Sequence, residues 1–385
     1  MKKYFPVYLA IACCVMLFSG SCKNGNQKDT YIKKLERNKE SIAVGVYKPN
    51  DTDVVYVKEI IEALKIDGGI VAVTFNNEDI KRTKLDNIDV LLIPGFKKDS
   101  GLIPVNEEIK AIIKKFVESR GKGVVGICNG SHVLTASKKS NTLNLIDLKM
   151  VEPGVAENNH GIMPFELTDK GKEIFPELKS SQNLFIDFHN GPFIEMDYNT
   201  NQSLFLVGNK LDEKDSIPFF VSGKAGKGKI FVTTAHPETT PGMRWMLPRM
   251  VRWVIGRDLV SYGQNVVRPD FFTEQITITK DFSDMIDEQI DLLVNGDKNQ
   301  KIKAMDKLQN SYPWLAAEKV IPLLSDQNDK VKLRAVDFLT EIEYTAAIPD
   351  IENAIKKEKR RKTREQLLVF EADLENMIEQ QVSVN

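Results

Sequence analysis

The sequence has few of the residues that carry metal or redox chemistry. Its 385 residues include only four cysteines and four histidines, and no two histidines have the H-E-x-x-H spacing of a zinc helix. We therefore expect no dedicated metal site and no cofactor. A phosphate-binding Gly-Lys-Ser/Thr loop is also missing. Lys and Arg number 53 against 54 Asp and Glu, so no overall positive field favours nucleic acid as a partner.

The N-terminus has the features of an export signal. An apolar stretch at residues 7–18 follows two lysines and ends in small residues before Cys22, and it is too short to span a membrane. The segment resembles a bacterial lipoprotein signal, in which Cys22 is acylated and becomes the first residue. That resemblance implies an exported protein, lipid-anchored to a bacterial membrane in the periplasm or cell envelope. An ordinary cleaved signal and an anchored helix are the alternatives.

Cys128 is the one thiol that this reading leaves without a partner. Cys13 and Cys14 lie in the signal and Cys22 carries the lipid, so no intramolecular disulfide is available to it. Cys128 stands between two glycines in the sequence Gly-Ile-Cys-Asn-Gly at 126–130, directly after a β-branched run. This pattern predicts a strand–turn–helix elbow that presents a nucleophile. A buried cysteine that only packs in the core is the alternative.

A second chemical motif lies about a hundred residues downstream. The predicted strand at 229–235 ends in His236-Pro237-Glu238. Together with Cys128, these residues supply a thiol, an imidazole that can take its proton and a carboxylate that can orient the imidazole. The sequence therefore predicts nucleophilic catalysis by cysteine, provided that the two segments meet in the fold.

Apolar strands alternate with amphipathic helices from residue 41 onward. Strands are predicted at 42–47, 70–75, 90–93 and 124–127, and helices at 57–64 and 109–117. This alternation predicts a parallel sheet covered on both faces. Gly95 and Cys128 both follow such strands, at the carboxyl ends where these sheets bind ligands. Strands predicted at 203–207, 218–221 and 230–232 give the next part an antiparallel character, and a helix is expected at 243–255.

The sequence beyond residue 272 has no strand pattern and predicts only helices. These are expected at about 281–294, 299–309, 314–324, 329–342, 346–357 and 361–378. Similar segments begin at Asp297 and Asp326, and stacked helices with such offsets resemble short HEAT-type repeats. The resemblance implies a surface for a protein partner. A helical appendage that only stabilises the first domain is the alternative.

The expected organisation is a signal at 1–21, a tether at 22–40, an α/β domain at 41–260, a linker at 261–271 and a HEAT-like domain at 272–385. Within the α/β domain, four motifs resemble the class I glutamine amidotransferase-like superfamily. They lie at 91–95, 126–130, 226–229 and 236–238. The loop at 46–50 and the segment at 188–192 make the N-terminal amidotransferase-like domain of biotin–protein ligases the closest subgroup.

This resemblance implies a flavodoxin-like doubly wound fold and a role for each site residue. Cys128 is then the nucleophile, His236 the general base and Glu238 the acid that orients it. The backbone N–H of Asn129 and the backbone near Gly95 would hold the oxyanion.

The resemblance also places Phe96, His189, Asn190 and Gly191 at the substrate pocket. Phe96 stands where amidotransferases usually have a second glycine. No synthetase or ligase module is attached, and an exported protein has no ATP pool, so both facts argue against glutaminase and biotin-ligase activity.

Two functions of different classes stay open. The first is a cysteine hydrolase that acts on an amide or acyl bond of a small substrate or a peptide end. The second is a non-catalytic module that binds a ligand in the same pocket, or a scaffold that acts through the helical repeats. The sequence alone leaves open whether the protein is an enzyme.

Overall fold

The computed structural model describes residues 41–48, 54–95, 106–135, 142–151, 160–179, 183–189, 191–195, 205–208, 218–311 and 313–378. The predicted signal and tether, with Cys22, lie outside the described residues, as do Phe96 and Asn190. Residues 40–385 form one compact unit. Among the described residues, no helix is both long enough and apolar enough to span a membrane.

Seven of the described strands form one sheet with a parallel centre. Along the sheet the order is β2 (Ile70–Phe75), β1 (Ile42–Tyr47), β3 (Val90–Ile93), β4 (Gly123–Ile127), β11 (Gly228–Thr233), β10 (Phe220–Ala225) and β9 (Phe205–Gly208). Pairing is parallel from β2 to β11 and antiparallel from β11 to β9. Since parallel strands end at the same edge, the residues after β3, β4 and β11 come close together there.

Helices cover both faces of this sheet. They are α1 (Val54–Leu64), α2 (Asn77–Thr83), α3 (Glu107–Lys114, continued by a π-helical turn at Lys115–Ser119), α4 (Asn129–Leu134), α5 (Asp169–Ile174) and α6 (Met246–Val254). Val90 and Leu92 pack into one hydrophobic core with side chains of α1 and α6. Leu91 alternates to the opposite face and joins a second core with α3, as the period of two along a strand requires.

Two smaller antiparallel sheets lie beside the main one. One has the order β12 (Ile276–Thr277), β6 (Gly161–Phe165) and β7 (Leu184–Phe188), and the other pairs β5 (Lys149–Val151) with β8 (Phe193–Glu195). Strand β7 leads into His189, which the family resemblance places at the pocket.

The C-terminal region is helical, as expected, except for β12 (Ile276–Thr277), where the prediction of helices alone was wrong: these two residues pair with β6, a contact that no local pattern signals. Its helices are α7 (Lys280–Asn295), α8 (Lys298–Gln309), α9 (Ala317–Val320, flanked by 3-10 turns at Pro313–Ala316 and Ile321–Ser325), α10 (Asp329–Glu341), α11 (Ile348–Lys357, preceded by a 3-10 turn at Thr345–Ala347) and α12 (Arg361–Glu375). They share a third hydrophobic core.

The segment that the sequence suggests as a linker, 261–271, is packed onto both regions. The Tyr262 hydroxyl donates to Asp67 Oδ2 at 3.0 Å, Val266 is fully buried, and Arg268 contacts Glu343 of the helical region. Buried polar contacts therefore join the α/β region to the helical region. Both predicted regions, the mixed sheet with a parallel core and the C-terminal helices, are confirmed.

Candidate active site

Cys128 occupies a sharp turn between β4 and α4. Its φ of 52° and ψ of −121° lie outside the regions that ordinary residues adopt, and such strained residues are concentrated at functional sites. The backbone N–H of Cys128 donates to Thr233 O at 2.8 Å, which extends the pairing of β4 with β11 to the turn itself. The side chain is buried.

The two glycines around Cys128 are required by close backbone contacts. A Cβ on Gly130 would lie 2.1 Å from the carbonyl oxygen of Ile93, and a Cβ on Gly126 would lie 2.9 Å from the Cα of Ser131. No side chain fits at either distance, so glycine lets the helix α4 pack directly against β3 and β4. This is the strand–turn–helix geometry that the sequence predicts.

Ser131 adds a hydrogen bond that fixes the turn. Its Oγ lies 2.6 Å from Thr233 O and 2.9 Å from Gly126 O, so this one buried hydroxyl connects α4 with the ends of β11 and β4. Sequence reasoning missed this role, because a serine in the first turn of a helix is too common to signal it.

His236 and Glu238 lie on the loop that follows β11, here called the base loop (residues 236–242). His236 Nδ1 lies 2.8 Å from Glu238 Oε1, and the two residues are 3% and 0% exposed. A 3-10 turn at Pro237–Thr239 brings the carboxylate back onto its own histidine. The backbone N–H of His236 donates to Asp187 O at 2.7 Å, which attaches the loop to β7.

The thiol and the imidazole line the same small space beside Gly95. A Cβ built on Gly95 would lie 3.6 Å from Cys128 Sγ and 3.6 Å from His236 Cε1. Two segments that are 108 residues apart in sequence therefore meet at the carboxyl edge of the sheet. Gly95 leaves the space between them open, whereas any side chain would enter it.

Both ring nitrogens of His236 face oxygen atoms that can accept a hydrogen bond. Nδ1 faces Glu238, and Nε2 lies 3.2 Å from the carbonyl oxygen of His189. Cys128 Sγ lies 3.9 Å from that same carbonyl. A neutral imidazole donates from one nitrogen only, so two facing acceptors fit an imidazolium.

The electrostatics of the site agree with a charged imidazole. Burial by itself lowers the pKa of His236, but the charges of Cys128 and Glu238, and hydrogen bonds with both, outweigh burial. The pKa of His236 therefore lies well above its usual 6.5.

The other residues that the resemblance assigns to the site differ in how much the structure says of them. Asn129 is the first residue of α4, directly after the cysteine. The His189 ring lies 6.4 Å from the His236 ring, centroid to centroid. Gly191 is buried against Thr234, whose carbonyl oxygen a Cβ there would meet at 2.4 Å. Phe96 and Asn190 lie outside the described residues.

Helix α1 contributes two residues that sequence reasoning missed. The Tyr56 ring lies 6.4 Å from the His236 ring, and Glu59, one turn further on, is 5% exposed. Burial raises the pKa of Glu59 well above its usual 4.5, and the charge of Glu238 raises it further against the opposing effect of Arg244. In the sequence, the available signal was a glutamate on the apolar face of a helix. In the structure, α1 packs against the Pro237–Thr239 turn, which brings Glu59 close to Glu238.

Asp187 is a second buried acid that the sequence analysis passed over. Its Oδ2 accepts from Thr239 Oγ1 at 2.8 Å, and its backbone N–H donates to Thr240 Oγ1 at 3.0 Å. A charged residue in the middle of the apolar strand β7 was the available signal. Asp187 anchors the base loop on its inner side.

The described ranges contain no group of three His, Cys, Asp or Glu side chains that could hold a metal ion.

Comparisons with known proteins give remote likenesses only. No protein-family model matches the sequence, and no curated protein matches it. Among solved structures, PurLQS from Thermotoga maritima is similar over 56% of this chain and 97% of its own, at 18% identity and a TM-score of 0.41. A glutamine amidotransferase from the same organism is similar over 56% and 89%, at 12% identity and a TM-score of 0.36.

A ThuA-like protein from Parabacteroides merdae is similar over 59% of this chain and 99% of its own, at 13% identity and a TM-score of 0.37. Likenesses with TM-scores this low add nothing to what the strand order and the site geometry establish by themselves.

Proposed function

We propose that the protein is a cysteine hydrolase that cleaves an amide or related acyl bond in a small substrate or a peptide end. The observation that carries this proposal is the meeting of Cys128 Sγ and His236 beside Gly95, with Glu238 on the far side of the imidazole. A thiolate is the attacking form of cysteine, and a neighbouring imidazolium stabilises it.

The first half of the reaction forms an acyl-enzyme. The Cys128 thiolate attacks the carbonyl carbon, a C–S bond forms and the carbonyl electrons move onto oxygen. Backbone N–H groups at Asn129 and Gly95 are the proposed donors to that oxyanion. His236 Nε2 then gives its proton to the leaving amine as the C–N bond breaks, which leaves a thioester on Cys128.

The second half consumes water. Neutral His236 takes a proton from a water molecule that attacks the thioester, the C–S bond breaks and the carboxylic acid leaves. The thiolate and the imidazolium are thereby restored, and Glu238 holds the imidazole in position through Nδ1 in both halves.

The direct test is alkylation of Cys128 by iodoacetamide as a function of pH. A thiol of ordinary acidity is only about 1% ionised at pH 6.5, whereas a thiolate held by His236 reacts readily there. We expect His236→Ala to slow alkylation at pH 6.5 by about tenfold or more, and Glu238→Gln to slow it less.

His160→Ala is the matched control, because this histidine stacks on Phe188, with a ring-centroid distance of 5.5 Å, whereas the atoms nearest to a Cβ on Gly95 belong to Cys128 and His236. Alkylation at pH 6.5 that is slow in the native protein and insensitive to His236→Ala would favour the other function: a module that binds a ligand in this pocket without cleaving it.

We further propose that the protein is exported and lipid-anchored through Cys22, and that the helical region forms HEAT-like repeats with a surface for a protein partner. The first proposal is supported by the N-terminal sequence, and Cys22→Ser should cause unprocessed precursor to accumulate. The second is supported by the helices α7–α12 and the repeat offset of about 29 residues in the sequence.

A further inference from the structure

The base loop ends in a backbone turn that has no room for a side chain. Gly242 has a φ of +78°, and a Cβ there would lie 2.2 Å from Arg268 O. Its carbonyl oxygen accepts from the backbone N–H of Arg268 and from Trp245 Nε1, both at 3.0 Å. The position of this glycine therefore depends on residues that follow the base loop.

Glu343 of the helical region holds the other side of Gly242. Its Oε1 accepts from the Gly242 N–H at 3.1 Å and from Arg268 Nε at 3.1 Å. Its backbone carbonyl accepts from Arg244 Nη1. Glu343, 101 positions away from Gly242 in the sequence, thus binds the backbone at the end of the base loop and the guanidinium groups of Arg244 and Arg268.

Glu343 is placed at a cost that helix packing does not explain. It is 1% exposed, so its carboxyl is removed from water, and its φ of +59° is a conformation that disfavours side chains with a Cβ. A glycine or asparagine would meet the backbone requirement after α10 more easily. A glutamate at such a position therefore points to a role of its carboxyl oxygen outside the helical region.

Hydrogen bonds continue from Met243, the residue after Gly242, to the backbone carbonyl of His236. The N–H of Met243 donates to Thr240 O at 3.0 Å, and Thr240 Oγ1 donates to the carbonyl oxygen of His236 at 2.7 Å. A shift at Gly242 is thus passed to the backbone that carries His236 and Glu238, because the turn between them is short and internally bonded.

We propose that Glu343 is a positioning residue for the catalytic base, through which the helical region sets the orientation of His236 toward Cys128. This inference rests on the proposed function, since it concerns the same imidazole. It assigns the helical region a part in the chemistry of the α/β region in addition to any partner that it binds.

The test uses the full chain and two readouts, alkylation of Cys128 at pH 6.5 and the pH titration of the His236 imidazole followed by NMR. Glu343→Ala removes the oxygen that binds Gly242. We expect alkylation about tenfold slower and a His236 titration midpoint lowered by about half a unit or more. Glu343→Gln keeps an acceptor oxygen at the same distance and should restore most of both values.

Glu341→Ala is the matched control. Glu341 also contacts Arg268, at 3.6 Å, but its side chain is 47% exposed and no hydrogen bond joins it to Gly242. We expect native values for both readouts.

If Glu343→Ala does not fold, Glu343→Asn replaces it, because asparagine tolerates a positive φ while its shorter side chain cannot reach Gly242.

A folded Glu343→Ala or Glu343→Asn protein with native alkylation and a native His236 titration would overturn the positioning role. Loss of stability without a change in either readout would do the same. The proposed function has its own test and fails if His236→Ala leaves the alkylation of Cys128 unchanged. In that case the NMR titration of His236 still decides whether Glu343 positions the imidazole.

Discussion

The two halves of the candidate site are held in place in different ways. The elbow around Cys128 is fixed by direct packing within the sheet: Gly126 and Gly130 allow the close approach of strand and helix, and Ser131 Oγ lies within hydrogen-bond distance of carbonyl oxygens on β4 and β11. The base loop is fixed from a distance, by Asp187 on its inner side and by Glu343 at its end.

The difference has a simple consequence. A nucleophile held by the central sheet keeps its position as long as β3, β4 and β11 pair and α4 packs against them. A base held by distant side chains also depends on how the two regions of the chain pack together. We therefore expect substitutions at the elbow to act mainly on stability, and substitutions around the base loop to act on the state of His236.

The largest effect on stability is expected at the elbow. Gly130→Ala would place a Cβ 2.1 Å from Ile93 O, and backbone cannot move away as a flexible side chain could. The free energy of unfolding should fall by about 3 kcal/mol or more, as measured by urea denaturation.

Gly256→Ala is the control for this change. Gly256 has a φ of +66°, and a Cβ there would meet only Lys229 Nζ at 3.6 Å. Its cost should be about 1 kcal/mol, from backbone strain alone. Equal losses for the two variants would show that the backbone at Ile93 can move away from a side chain at position 130.

Glu59→Gln should give a smaller effect that depends on pH. Since the pKa of Glu59 is raised in the folded state, the folded protein holds this proton above pH 4.5 while the unfolded chain loses it. The stabilising contribution is present below pH 4.5 and is lost as pH rises through the folded-state pKa. Glutamine does not ionise, so the variant does not lose this contribution. At high pH its free energy of unfolding should exceed that of the native protein by about 1.4 kcal/mol for each pH unit by which the folded-state pKa of Glu59 lies above 4.5.

The measurement compares the free energies of unfolding of the two proteins between pH 4 and pH 8. Glu78→Gln serves as the control for loss of a carboxylate at an exposed position, because the Glu78 side chain is 80% exposed. A constant difference for Glu59→Gln would mean that this carboxyl is not buried against the base loop.

The smallest effect is expected at Thr239, the residue of the base loop whose side chain bonds Asp187. Thr239→Val removes the hydrogen bond from Thr239 Oγ1 to Asp187 Oδ2 and should cost about 1 kcal/mol. The same change at the exposed Thr273 should stay within about 0.5 kcal/mol. A loss of about 3 kcal/mol at Thr239 would instead mean that the base loop is anchored as rigidly as the elbow.

Much of the fold could be predicted from local pattern. Strands β1, β2 and β3 have the predicted bounds, because apolar runs flanked by polar turns mark buried strands. Helix α2 was not predicted, since Asn77–Thr83 contains a single buried residue, Ile80, and its capping by Asn76 outweighs its weak apolar pattern.

The site could be predicted only in its chemistry-bearing motifs. Cys128 and His236 stand in recognisable local contexts, a glycine-flanked turn and a strand end. Glu59 and Glu343 have no motif of their own: the first is a charged residue on helix α1 and the second follows the end of α10, and only burial gives each a role.

The sequence by itself determined strands β1, β2 and β3, the position of the turn at Cys128 and the identity of the reactive groups. These depend on interactions between residues a few positions apart. Only the tertiary structure decided that the imidazole and the thiol line the same space beside Gly95, and that Glu343 bonds the end of the base loop. Those contacts join residues about a hundred positions apart, so they exist only where buried surfaces of separate elements come together.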